Sequence, residues 1–281
     1  MEKDKTGKGN GIKRMKLYRH PERVYNEISA AGYGNDAPLK EEDIRLFDQY
    51  HYLGTDTVDD AIECLKVGPR SRLLEIGSGL GGPARYLAEK TGCHVTAVEL
   101  QPDLNQIASS LTKRCDLSGR VEHLCGDILE FPESGGNFDG AVSWLAILHI
   151  PDRQALLKKC RNILKPGGKV FFEDYYKLGE FSPEEVRVLR EDVQCPYLPT
   201  AEEYKKQLME NGFKDVELED KTVCWSGFVN GRVEKFIENR NSYEKIHGAE
   251  VTEGMEDFYK KVLRLFRQGN LGGARITAVK V

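Results

Sequence analysis

The sequence predicts a doubly wound, mostly parallel α/β sheet. Three observations carry this. Apolar strand-like runs alternate with helical patterns from residue 72 to residue 175. The first run, LLEI, carries a single acid (Glu75), breaks into Gly77, Gly79, Gly81 and Gly82, and gives way at Pro83 to a helical pattern. The chain ends on ARITAVKV, an alternating strand. Strands alternating with helices of this length imply parallel pairing with helices on both faces.

The elements follow in order. Residues 1–20 read as a disordered, lysine-bearing tail without an apolar leader segment. Residues 21–66 form a helical N-terminal cap rich in aromatics, ending in a short amphipathic helix from Asp59 to Leu65 before Gly68-Pro69. Strand one is expected at 72–77 with its helix at 83–91. Strand two spans 94–100, its helix running from about Asp103 to Cys115. Strand three is 120–127 and strand four 138–143, followed by the helix DRQALLKKCRNIL. LKPGGK reads as a helix stop and a turn before strand five at 170–175. A first insertion (177–198) precedes the helix TAEEYKKQLMENGF and strand six at 214–220. A second, mostly helical insertion (221–271) precedes the last strand, entered through a turn at Gly272-Gly273. Residues 21–281 are thus expected as a single domain whose cap and insertions close over the strand ends, where open α/β sheets bind ligands.

Composition narrows the function. With 281 residues, 40% of them apolar and 31% charged, the chain has an ordinary globular make-up. Its net charge of −4 argues against nucleic acid as a main partner. No apolar run reaches the roughly 18–20 residues of a membrane span. The seven cysteines are scattered, odd in number and without a CxxC pair. That pattern predicts free thiols in a reducing, cytoplasmic setting and no metal site.

The glycine element satisfies GxGxxG, a weak signal for a dinucleotide when it stands alone. Three acids discriminate. Glu75 lies inside strand one, where it can accept from a ligand amine or from the turn backbone. Glu99 ends strand two, 22 residues after Gly77, where a carboxylate can take a ribose diol. Gly126-Asp127 ends strand three, where a carboxylate can accept from an adenine amino group with Ile128 against the ring. Three acids on adjacent strand ends repel a pyrophosphate and suit a cationic amino-acid–nucleoside, S-adenosylmethionine. An NAD(P)-dependent oxidoreductase remains the remote alternative.

EIGSGLGG, VEL, GDI, FDGAVSWLAILH and LKPGGKVFFEDY resemble the class I S-adenosylmethionine-dependent methyltransferases over about residues 45–220. The resemblance implies a Rossmann-like, seven-stranded sheet whose last strand is antiparallel. It places Glu75, Gly77, Ser78 and Gly79 by the methionine moiety, Glu99 and Leu100 at the ribose and Asp127 and Ile128 at the adenine, with Ser143 also in the cofactor site. Within the class, the chain is similar to the phosphoethanolamine and sarcosine/dimethylglycine N-methyltransferases. That likeness makes His149, in AILH, the expected base, acting with a cap tyrosine, Tyr50 or Tyr52 or, further back, Tyr25 or Tyr33. His51 is a rival base. Trp144, Tyr175 and Tyr197 join His51 as acceptor-binding residues. The branch's Arg-Asp before AILH is here Trp144-Leu145, and its phosphate-binding arginine before Tyr197 gives way to Gln194 or Cys195. Trp144 offers a flat face that suits a methylated ammonium through cation–π contact, or an apolar acceptor.

Glu173-Asp174, ending strand five, can anchor an acceptor ammonium or serve the fold. Arg232, Lys235 and Arg240 read as a solvated basic helix face, with carboxylate binding as the alternative. The expected activity is methylation of a small acceptor, at an amine nitrogen of an amino acid or ethanolamine-like compound. A phenol, thioether or sterol is the alternative acceptor. A non-catalytic or macromolecule-modifying role fits the insertions less well. The expected state is a monomer or homodimer.

Overall fold

The computed structural model describes residues 20–132 and 135–281. The expected tail over residues 1–20 lies, but for His20, outside them. The N-terminal region supplies α1 (Arg23–Ala30), α2 (Glu41–Asp48) and α3 (Thr55–Leu65). The alternating part follows as β1 (Arg72–Ile76), α4 (Gly82–Thr91), β2 (His94–Glu99), α5 (Pro102–Arg114), β3 (Val121–Cys125), β4 (Phe138–Trp144), α6 (Arg153–Ile163) and β5 (Leu164–Lys177). Then come α7 (Pro183–Glu191), α8 (Ala201–Glu210), β6 (Phe213–Asp220), α9 (Thr222–Glu238), α10 (Arg240–His247), α11 (Ala249–Gln268) and β7 (Leu271–Lys280).

The seven strands form one sheet in the order β3-β2-β1-β4-β5-β7-β6. β1 to β5 pair in parallel, whereas β7 runs antiparallel between β5 and β6. The order reverses at β1, with β2 on one side and β4 on the other. That is the crevice where open α/β sheets hold ligands. Strand residues alternate faces. Leu74, Ile76 and Phe172 pack with Leu156, Cys160 and Leu208 of α6 and α8. Leu73, Val95 and Phe171 pack on the other face with Val58, Ala84 and Leu87 of α3 and α4. A separate apolar cluster joins Tyr52, Tyr175 and Leu148 to Trp225, Val229, Val262 and Phe266 of α9 and α11. Both insertions therefore pack against the strand ends.

Local chemistry sets the helix limits. α4 begins with Pro83 in its first turn and stops at Gly92, where φ is +73°. Ser182 with Glu185, and Thr200 with Glu203, close capping boxes at α7 and α8.

Three sequence expectations change. The helix before strand one begins at Thr55 rather than Asp59, since Asp56 and Thr57 extend the same turn. LKPGGK does not end in a turn outside the sheet. Leu164 pairs with Phe138 and Lys169 with Gly140, so the residues between are carried as a bulge within β5. Gly272 and Gly273 lie inside β7, not before it. A Cβ on Gly273 would sit 2.0 Å from the ring of Trp225, which is fully buried on that strand. The glycine is a seat for the side chain that fastens α9 to the sheet.

Candidate active site

β1, β2 and β3 end side by side, and their acids meet there. A cavity is lined by Glu75, Gly77, Ser78, Gly79, Glu99, Leu100, Asp127 and Ile128. The α2 end of the cap and the segment after β4 close it, through Asp48, Tyr50 and His51 and through Trp144, Leu145 and His149.

The glycine turn is already satisfied by its own fold. The amides of Gly77 and Ser78 donate to the Val98 carbonyl at 2.9 and 3.1 Å, and that of Gly81 to Ser78 at 2.7 Å. The Gly79 amide donates to Glu99 Oε2 at 2.8 Å, and the Gln101 amide to its Oε1 at 2.8 Å. These four turn amides are spent, so the loop offers them to no pyrophosphate. Gly77 holds φ +69°, and a Cβ there would meet the Cβ of Ala146 at 2.3 Å. The bare backbone lets the segment carrying His149 press against the turn.

Glu75 is buried, and its Oε2 has no partner among the described residues. Burial, with Glu99 and Asp48 adding repulsion, pushes its carboxyl up to about 8, against the pull of Arg85 and of the Ala84 amide. A cation arriving beside it would restore the charged form. The Ser78 hydroxyl is likewise buried and unpartnered. Burial raises Glu99 as well, against three backbone amides. Asp127 caps the turn Ile128–Glu130, accepting from the Leu129 amide at 2.9 Å through Oδ1.

Arg85 of α4 supports the floor. It is fully buried and pairs with Asp48 at 2.8 Å. It also donates to the carbonyls of Leu80 at 2.7 Å and Ala108 at 3.2 Å. The pair joins the cap to the glycine turn.

A second cavity shares Tyr50, Leu145 and His149 with the first. Tyr52, Tyr175, Arg232 and Tyr259 also line it. His149 donates from Nδ1 to the Gln194 carbonyl at 3.0 Å. That fixes the tautomer and leaves Nε2 as an acceptor. Burial, then the charge of Arg153, brings the ring down to about 4, so it is neutral at pH 7. Leu145 and Gln194 hold φ of +52° and +58° on either side of this histidine. Such strained residues persist where the surroundings over-determine them. Trp144 is buried with its indole N–H unpartnered, its ring 5.8 Å from that of His51.

Several predicted site residues take other places. Ser143 is fully buried, donates to the Ile76 carbonyl at 2.8 Å, and lines neither cavity; it ties β4 to β1. Tyr197 accepts from Gln207 of α8 at 3.0 Å and also lines neither. His51 lines the first cavity, but its ring nitrogens are held by the Tyr52 carbonyl at 3.0 Å and the Gln49 side chain at 2.7 Å. Both ring nitrogens thus face protein oxygens and neither is turned toward an acceptor in the cavity. The Tyr52 and Tyr175 hydroxyls hydrogen-bond to each other, one donating and one accepting. Tyr50 reaches both cavities and accepts from Arg23 at 3.2 Å.

Glu173 and Asp174 do not share a pocket. Glu173 is held by Thr57 and Arg275, and Asp174 by Arg153 at 2.8 Å and the Tyr204 hydroxyl at 3.0 Å. Both hold the fold. Arg232 departs from the solvated helix face. It points into the second cavity while Lys235 is exposed and Arg240 pairs with Glu244 and Glu256. The signal was present: Val229, Arg232, Val233 and Phe236 share helical spacing, which puts the arginine on the apolar face.

A family profile described as a methyltransferase domain matches residues 73–168. The sarcosine/dimethylglycine N-methyltransferase of Halorhodospira halochloris is 28% identical over 68% of this chain and 69% of its own length. Phosphoethanolamine N-methyltransferase 1 of Zea mays is 32% identical over 68% of this chain. The match spans only 37% of that enzyme's length. Among solved structures, phosphoethanolamine N-methyltransferase 2 of Haemonchus contortus superposes with a TM-score of 0.78 at 22% identity. It covers 92% of this chain and 57% of that one, in a complex with phosphomonomethylethanolamine and S-adenosylhomocysteine. The chain therefore matches a methyltransferase-domain profile over residues 73–168 on a seven-stranded α/β fold, and it is similar to phosphoethanolamine and sarcosine/dimethylglycine N-methyltransferases among others.

Proposed function

We propose that the chain transfers a methyl group from S-adenosylmethionine to the nitrogen of a small amine. One observation carries the cofactor reading. The buried Glu75 carboxyl, with Oε2 unpartnered, sits beside a glycine turn whose own amides are spent. Such a place favours an ammonium over a phosphate. Glu99 and Asp127 on the next strand ends would hold the ribose and the adenine, with Ile128 and Leu100 against the rings. When bound, the cofactor supplies a methyl already activated on a sulfonium.

The chain's own residues then have three tasks. The cap and both insertions shield the junction of the two cavities from water. Tyr50, Trp144 and Leu145 position the acceptor nitrogen there, the aromatic faces suiting an ammonium. His149, neutral and with Nε2 free to accept, removes the proton of a primary or secondary amine as the new N–C bond forms. A tertiary amine needs no base, and His149 then only orients it. The acceptor site, the roles of Tyr52 and Tyr175 and a monomeric or homodimeric state without nucleic acid are part of the same proposal.

Calorimetry with S-adenosylmethionine and S-adenosylhomocysteine tests the cofactor; no heat of binding with either sinks the reading. Labelled-methyl transfer to a panel of amines, phenols, thioethers and sterols tests the acceptor. Label on oxygen, sulfur or carbon alone would overturn the nitrogen assignment.

A further inference from the structure

The second cavity holds one charged side chain among its described lining, that of Arg232. Its guanidinium lies 4.7 Å from the ring centre of Phe228, 5.5 Å from Tyr52 and 5.6 Å from Tyr259. It donates to the His51 carbonyl at 3.0 Å, and among the described residues no carboxylate pairs with it. Among the described residues the buried arginines Arg85 and Arg153 are each paired, with Asp48 and Asp174. Arg232 stands half-buried in an aromatic chamber, met by ring faces and one carbonyl but by no carboxylate among the described residues. Uncompensated charge in such a place invites an anion.

The chamber joins the cofactor cavity at His149, Leu145 and Tyr50. An acceptor reaching His149 with its nitrogen can thus extend its other end toward Arg232. The number of donors decides the kind of anion. Among the described residues no second cation lines the chamber, and one O–H of the Tyr52–Tyr175 pair is used within the pair, which leaves a single neutral hydroxyl donor beside the guanidinium. A phosphate dianion would keep charge unneutralised; a carboxylate would not.

We infer that Arg232 is the specificity-determining residue of the acceptor site, reading a carboxylate at the far end of the amine. This rests on the proposed methyltransferase reading and sharpens it. A guanidinium meets a carboxylate through two parallel N–H donors, so the recognition depends on fork geometry as well as charge.

The test is binding to the full chain loaded with S-adenosylhomocysteine. Sarcosine, glycine and β-alanine are titrated beside dimethylamine, methylamine and ethylamine, with phosphoethanolamine as the dianionic arm. The carboxylated member of each pair should bind about ten- to hundred-fold tighter. Arg232→Gln should collapse that ratio toward one and leave S-adenosylhomocysteine affinity unchanged. Arg232→Lys should restore part of it. A structural arginine would instead weaken neutral and carboxylated amines alike, which overturns the inference. So does a ratio that survives Arg232→Gln, a panel with no binder, or tighter Arg232-dependent binding of phosphoethanolamine. If S-adenosylhomocysteine itself does not bind, the cofactor reading fails. The panel is then titrated into the free chain, and Arg232 is judged there by the same ratio.

Discussion

Gly77→Ala tests the join between the cofactor turn and the segment that carries His149. The residue holds φ +69°, and an added Cβ would lie 2.3 Å from the Cβ of Ala146. Two costs follow. The left-handed backbone costs an L-residue about 1–2 kcal/mol. Overlap in a packed place costs about 1–3 kcal/mol more. The variant should therefore lose about 2–5 kcal/mol, read from the urea midpoint at unchanged slope. Ala146→Gly can relieve only the overlap. Alone it should cost up to about 1 kcal/mol, as glycine does in ordered backbone. Combined with Gly77→Ala it should return about 1–3 kcal/mol, the coupling read from the double-mutant cycle. Function follows the same geometry. A displaced Ala146 carries His149 away from the Gln194 carbonyl that fixes its tautomer, so kcat should fall in Gly77→Ala and recover in part in the double variant. A coupling below about 0.5 kcal/mol, within ordinary additivity error, refutes the close approach.

Four further outcomes are expected. Glu75 is pushed by burial to about 8, above its ordinary 4.5, so its contribution to stability is full below about pH 4.5 and is lost as pH rises through 8. Urea unfolding of the native chain and of Glu75→Gln at pH 5, 6.5 and 8 should show the difference between them shifting in favour of the variant; parallel curves would contradict the buried neutral carboxyl. His149→Asn should lower kcat about 10²–10⁴-fold for secondary amines but not for tertiary ones. The ring protons of His149 should titrate near 4 by NMR rather than 6.5. A midpoint near 6.5 would mean an open, hydrated ring. Asp48→Asn leaves Arg85 charged and fully buried, and should cost about 3–5 kcal/mol in chemical denaturation. An unchanged midpoint would show that the pair does not tie the cap to the sheet.

How much the sequence disclosed depends on how local each feature is. LLEIGSGLGGP yields strand, turn and helix because glycine, proline and apolar runs act within a few residues. The strand-end acids Glu75, Glu99 and Asp127 could be placed in one cavity because parallel strands end on the same edge. Ser143 and Tyr197 failed for a contrary reason. Each lies close in sequence to a cavity residue, yet alternation along a strand sends Ser143 to Ile76, and the irregular segment before α8 brings Tyr197 to Gln207. The Gly272-Gly273 pair misled because the glycines serve Trp225 and Tyr176, partners far off in sequence. Arg232 reads as solvated from its charge alone, which hides its helical position between Val229 and Phe236.

The two halves of the site accordingly answer to different parts of the chain. The cofactor half is built almost wholly from strand ends between residues 75 and 128 and is held by backbone bonds such as Gly79 to Glu99. Substitutions there would trade against the sheet itself. The proposed acceptor half, the second cavity, draws Tyr52 from the cap, Tyr175 from β5, Arg232 from α9 and Tyr259 from α11. These meet through side-chain packing around Trp225, which rests on Gly273. Such a chamber can change its walls without disturbing the turn below it, because the two cavities share only Tyr50, Leu145 and His149. It follows that exchanges at Arg232, Val229 or Tyr259 should alter which amine is taken while leaving cofactor affinity in place. Exchanges at the three shared residues should move both together.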